Sequence, residues 1–140
     1  MFYLDTSFAV SAFSVEPRTT DCQLWLADNV GADLLISDWV KTEFSSALSL
    51  KIRTKDVSVE QRAEILTRWH NAAANNFIAV DIVAGHFETA ARMTDNHQLS
   101  LRAGDALHIA IAQSVGAKLV TLDKRMAAAA LELGVPVAAL

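Results

Sequence analysis

Four carboxylates, Asp5, Glu43, Asp105 and Asp123, hold the positions in this chain where acids could do chemistry. Asp5 closes the apolar run Phe2-Tyr3-Leu4, and Asp123 follows Lys118-Leu119-Val120-Thr121 after one residue. Both runs read as strands, and strands of an open parallel sheet present their carboxyl ends to one crevice. Asp105 follows Gly104 where a very apolar helix is expected to begin, which puts it near the same rim. Glu43 belongs to a helix instead. It borders the stripe Val40, Phe44, Ala47 and Leu48, where an unpaired carboxylate is costly and a cation would neutralise it. Carboxylate oxygens in such a set suit hard divalent ions such as Mg²⁺ or Mn²⁺. Each acid also has a plainer reading. Asp105 and Asp123 stand where helix N-caps are expected, Asp5 can simply end a strand, and Glu43 can reach Lys41, Lys51 or solvent.

Other chemistries find no support. The histidines at 70, 86, 97 and 108 form no HExxH or cysteine-paired pattern, and no GxSxG, P-loop or GxGxxG occurs. His108, one turn after Asp105, reads as a core histidine, with support of Asp105 as the sharper alternative. Cys22 is the only cysteine, so no intrachain disulfide forms, and no neighbour in its helix would activate it. The lone thiol and a start without a basic leader suggest a cytoplasmic protein with no signal peptide, and no apolar run is long enough to span a bilayer. Net charge is −4, from 16 acidic and 12 basic residues. Setting the four candidate ligands aside leaves the two signs equal, so the excess negative charge is compatible with a metal site.

The elements that must position these residues alternate between strand and helix throughout. Strands are expected at 2–5, 34–36, 77–80 and 118–121, with an edge strand at 135–137 where Pro136 is tolerated. Helices are expected from Thr6 or Ser7 to Phe13, Thr19 or Thr20 to Val30, Ser37 or Asp38 to Arg53, Ser58 to Asn75, Val83 to Asp95 and Asp105 to Val115, with a short alanine-rich helix ending at Gly134. Ser58 and Gln61 form a capping-box pattern. The alternation implies one three-layer α/β/α domain over residues 1–140, with a central, mainly parallel sheet of four to five strands.

LDTS at the first strand, the ISDWVKTEF helix, RAGDALHIAIA and TLDKRM together resemble the PIN-domain nucleases, and among them the VapC-type toxins of toxin–antitoxin pairs. The likeness runs in order along essentially the whole chain. It implies an α/β/α fold and a Mg²⁺- or Mn²⁺-dependent ribonuclease whose catalytic and metal-binding acids are Asp5, Glu43, Asp105 and Asp123. Asp38 competes with Glu43 for the helix-borne position. Asp5, Asp105 and Glu43 would hold the main ion, and Asp123 would bind a second ion or orient the attacking water. Thr6 or Ser7 and Thr121 would supply supporting hydroxyls. A homodimer and a cognate antitoxin are implied as partners, beside an RNA substrate.

RNA would be met by local basic groups, with Arg102, Lys124 and Arg125 ahead of the Lys51, Arg53 and Lys55 run because they adjoin the proposed ligands. Trp25, Trp39 and Trp69 suit core or interface packing better than base stacking. The rival readings are a phospho-acceptor receiver domain with Asp81 as acceptor and a catalytically inactive PIN-like binding module. A haloacid-dehalogenase-type phosphatase would want a second aspartate where Ser7 stands.

Overall fold

A computed structural model describes all 140 residues. Four strands, β1 (Phe2–Leu4), β2 (Leu34–Ser37), β3 (Ile78–Val80) and β4 (Lys118–Val120), form one sheet in the order β3-β2-β1-β4. Every pairing is parallel, with Tyr3 opposite both Leu35 and Leu119. Parallel neighbours need crossovers, which seven helices supply: α1 (Thr6–Phe13), α2 (Thr19–Asp28), α3 (Asp38–Arg53), α4 (Val59–Asn75), α5 (Ala84–Asp95), α6 (Ala103–Ser114) and α7 (Lys124–Glu132). Their mutual contacts divide them into α1 to α4 and α5 to α7, the outer layers of the α/β/α arrangement. No helix is long and apolar enough to cross a membrane.

Burial follows position in the sheet. β2 is buried along its whole length, whereas edge strand β3 exposes Ile78 and Ala79. The α3 stripe of Val40, Phe44 and Leu48 is fully buried, with Ala47 at its margin. Trp69 stacks on Phe44 at a centroid distance of 4.4 Å and meets Phe13 edge-on, so it is a core residue. Trp25 packs edge-on against Phe2 and Phe8 while its indole N–H donates to the Ala139 carbonyl at 3.1 Å. Residues 106–112 of α6 are all buried, as a helix apolar on every side must be.

The capping box at Ser58 and Gln61 starts α4 as expected. Three expectations need correction. Helix α6 begins at Ala103, so Asp105 lies inside its first turn and reaches back to the Arg102 backbone N–H at 3.3 Å. Helix α2 stops at Asp28, and Gly31 takes a left-handed φ of 91°. The 135–137 segment is reduced to one bridge, Val137 with Leu119, so the sheet has four strands. Pro136 lacks an N–H, and the bridge rests on its carbonyl accepting from Leu119 and on Ala138 donating back. A 3₁₀ turn at His97–Leu99, which no pattern announced, precedes α6.

Candidate active site

Asp5 sits one residue beyond β1, where its backbone N–H still bonds the Val120 carbonyl of β4. Its side chain caps α1 through the Phe8 N–H at 2.9 Å, so the plainer reading of a cap holds alongside any other. Ser7 Oγ lies 2.9 and 2.8 Å from its two oxygens, and Thr121 Oγ1 donates at 2.8 Å. Ser7 has one hydroxyl proton, so three donors serve a carboxylate with about four acceptor positions. One position is left. Burial pushes the Asp5 carboxyl above the ordinary aspartate range, against the charge of His108 and the three hydrogen bonds. No Lys or Arg pairs with it.

The same hydroxyls tie Asp5 to the β4–α7 turn. Ser7 Oγ accepts from the Leu122 N–H at 2.9 Å, and Thr121 Oγ1 accepts from the Asp123 N–H at 3.0 Å. Asp123 caps α7, accepting from Arg125 and Met126 with Oδ1 and leaving Oδ2 without a close partner, 4.0 Å from the Arg125 guanidinium. Asp105 likewise commits only Oδ2.

Glu43 is held from a different side. Thr6 Oγ1 donates to its Oε2 at 2.5 Å, and His108 Nε2 lies 2.8 Å from the same oxygen. Burial raises the Glu43 carboxyl, but the bonds from His108 and Thr6 outweigh it and hold the group below the usual glutamate range. Behind His108, Nδ1 lies 3.0 Å from the Tyr3 hydroxyl, which lies 2.7 Å from Ser37 Oγ. The opposite oxygen, Oε1, rests against Gly104, where an added Cβ would stand 2.9 Å from it. The Trp39 indole N–H is buried at the same place without a well-aligned acceptor.

All four acids line one cleft of about 780 Å³, together with Thr6, Ser7 and His108. Thr6 serves Glu43, while Ser7 and Thr121 serve Asp5. His108 supports Glu43 and makes no bond to Asp105, contrary to the sharper reading of it. Asp38 is exposed and pairs with Lys41 at 2.8 Å, outside the cleft. Asp81 is exposed after the edge strand and does not line it either. Of the basic candidates, Arg102 lines the cleft, whereas Lys124 and Arg125 are exposed beyond its wall. Sequence reasoning passed over Glu16 and Ser46 as cleft residues and ranked Arg53 behind Lys124 and Arg125. Ser46, Ala47, Leu50 and Arg53 stand three, four, seven and ten residues after Glu43, and that helical spacing was the signal for them.

As the side chains stand, no three acidic, imidazole or thiol groups are close enough together to enclose a cation. The donor set nevertheless suits one. It consists of carboxylate oxygens, three of them uncommitted, and of a buried aspartate that no Lys or Arg pairs with.

The family model for the PIN domain matches residues 2–132. No curated protein sequence matches the chain. Among solved structures, it is similar to Mycobacterium tuberculosis VapC20, described as a Sarcin-Ricin loop cleaving toxin. That pair has a TM-score of 0.74 at 17% identity, covering 92% of this chain and 95% of the other. FitAcB from Neisseria gonorrhoeae gives 0.70 at 16% identity, covering 98% and 96%. VapBC2 from Rickettsia felis, bound to a DNA fragment from its promoter, gives 0.62 at 21% identity and 88% of each chain. At these identities the likeness is one of fold.

Proposed function

The chain belongs to the PIN-domain family, and from that premise we propose that it is a Mg²⁺- or Mn²⁺-dependent ribonuclease, the toxin of a type II toxin–antitoxin pair. The observation that carries this reading is the meeting of Asp5, Glu43, Asp105 and Asp123 on one cleft from four separate parts of the chain. The fold-level likeness to VapC20, a toxin that cleaves the Sarcin-Ricin loop, supports RNA as the substrate class. The likeness to VapBC2 supports an antitoxin as partner, and a homodimer is part of the same reading.

Asp5, Glu43 and Asp105 would hold the ion, with Asp123 completing the set or orienting the attacking water. When bound, a divalent cation supplies a Lewis acid for the phosphoryl oxygens and lowers the pKa of a water. The chain's own contribution is positioning. Ser7, Thr121 and the Phe8 N–H fix Asp5, and Thr6 with His108 fixes Glu43, so neither carboxylate must reorganise during reaction. Asp123 is fixed by capping α7, which leaves Oδ2 turned to a proton or a ligand. Arg53 and Arg102 on the cleft wall would meet the phosphates flanking the scissile bond, which offsets the overall negative charge locally.

Purified protein incubated with RNA and Mg²⁺ or Mn²⁺ should cut it, and EDTA, Asp5→Asn or Asp105→Asn should each abolish cutting while the circular dichroism spectrum is kept. Cleavage that survives both substitutions defeats the assignment. Coexpression with the product of an adjacent small reading frame should restore growth to cells that express the protein.

A further inference from the structure

We propose that His108 is the positioning residue for Glu43, acting as a fixed Nε2–H donor whose ring is oriented from behind by the Tyr3 and Ser37 hydroxyls. The inference deepens the nuclease reading and rests on it for the role of Glu43. Its own content is the hydrogen-bond chain.

The link to Glu43 has a direction. An ionised Glu43 only accepts, so His108 Nε2, 2.8 Å away, must carry the proton. On the other side of the ring, Nδ1 lies 3.0 Å from the Tyr3 hydroxyl, which donates to a neutral imidazole and accepts from a doubly protonated one. The Tyr3 hydroxyl in turn shares a 2.7 Å hydrogen bond with Ser37 Oγ. These three residues are among the most buried polar groups of the protein. Tyr3 and Ser37 are wholly inaccessible, and the His108 side chain is 3% exposed. Water therefore does not replace a missing partner, and the ring cannot rotate without orphaning buried groups.

The elements joined are distant in sequence: β1 supplies Tyr3, β2 supplies Ser37, α6 supplies His108 and α3 supplies Glu43. The chain thus reads out the register of the central strands at the cleft. Thr6 donates to the same Oε2, so that oxygen is committed twice and Oε1 is the one presented along the Gly104 face. Without His108, Oε2 of Glu43 keeps a single tether from a threonine, and the carboxylate is freer to rotate.

The test uses His108→Leu, which keeps side-chain volume and removes the donor, and His108→Gln, whose amide nitrogen stands near the Nε2 position. His70→Leu, an exposed histidine away from the cleft, is the control. Mn²⁺ affinity is measured by calorimetry, beside RNA cleavage. Affinity should fall by about 10- to 100-fold in His108→Leu, as for loss of a ligand's hydrogen-bond partner, and return to within about threefold in His108→Gln. In the parent protein without metal, nitrogen NMR of His108 should show a proton on Nε2. Folded His108→Leu with parental Mn²⁺ affinity overturns the proposal, as does equal loss in His108→Gln, which would mean the imidazole itself is needed. Should His108→Leu fail to fold, His108→Gln and the Nε2 proton decide. If the parent neither binds Mn²⁺ nor cuts RNA, the nuclease reading falls alone, and an Nδ1–H tautomer would still overturn the positioning role.

Discussion

Gly104→Ala should damage the site and cost the fold about 1–2 kcal/mol. The added Cβ would stand 2.9 Å from Glu43 Oε1, and ordinary contact begins near 3.4 Å, so the carboxylate must retreat by about 0.5 Å. It cannot retreat freely, because Oε2 is tied to Thr6 at 2.5 Å and to His108 at 2.8 Å. A retreat along the His108 bond would stretch it to about 3.3 Å, beyond the usual range for a charge-assisted bond. Weakening such a bond costs at most about 1.5–3 kcal/mol, while alanine for glycine in a helix returns about 0.5–1 kcal/mol. The net destabilisation is about 1–2 kcal/mol, or a fall of roughly 5 °C in Tm for a domain of this size. Activity is more sensitive to position. Since a 1 Å misplacement costs about 100-fold, half of that should cost about tenfold in cleavage rate. The assay is thermal melting beside RNA cleavage and Mn²⁺ titration, with Gly85→Ala as control because no atom lies within 4 Å of a Cβ there. The stability loss should vanish when Gly104→Ala is made in a Glu43→Ala background, leaving only the helix gain. Parental cleavage by Gly104→Ala, or a stability loss that persists without Glu43, would refute the reasoning.

Asp5 titrates above its ordinary 3.8, so the native state keeps a proton that the unfolded chain releases, and stability falls as pH rises through that window. In EDTA, Asp5→Asn should therefore melt close to the parent at the acid end of that window and progressively higher than it as pH rises through the window; a gap that does not change with pH contradicts this. Asp123→Ala should lose both the α7 cap, about 1 kcal/mol, and cleavage, whereas Asp123→Ser should keep the cap and lose only cleavage. Melting and cleavage assays on the two variants separate the roles, and equal stability of both would show that the cap contributes nothing. Arg53→Ala and Arg102→Ala should each weaken RNA binding and lower the salt slope by roughly 0.7, the value for one phosphate on a single strand, while Lys124→Ala should change it less. Salt-dependent binding to a cleavage-deficient Asp105→Asn protein measures this directly, and a steeper effect from Lys124 would move the RNA track off the cleft.

Local information settled most of the elements. Strand runs such as Leu34-Leu35-Ile36, the Ser58–Gln61 box and the Val40, Phe44 and Leu48 stripe are properties of neighbouring residues, and each led to the element that formed. It also nominated the four acids, because strand-ending and helix-border carboxylates stand out from an apolar background. The boundaries that failed had separate causes, one local and one distant. Asp105 moved inside α6 because Arg102 offers its backbone N–H as the cap, and the 135–137 segment depended on what β4 could still bond.

By itself, then, the sequence determined the alternation of elements, the parallel sheet and the acidic candidates, since these follow from periodicity and short-range capping. Only the tertiary structure decided which hydroxyl serves which acid, that His108 answers to Glu43 rather than Asp105, and that Gly104 must lack a side chain. Those choices turn on contacts between residues as far apart as Tyr3 and His108, 105 positions along the chain. Helical and strand periods carry no information about which buried groups will meet across a sheet, and packing supplies it.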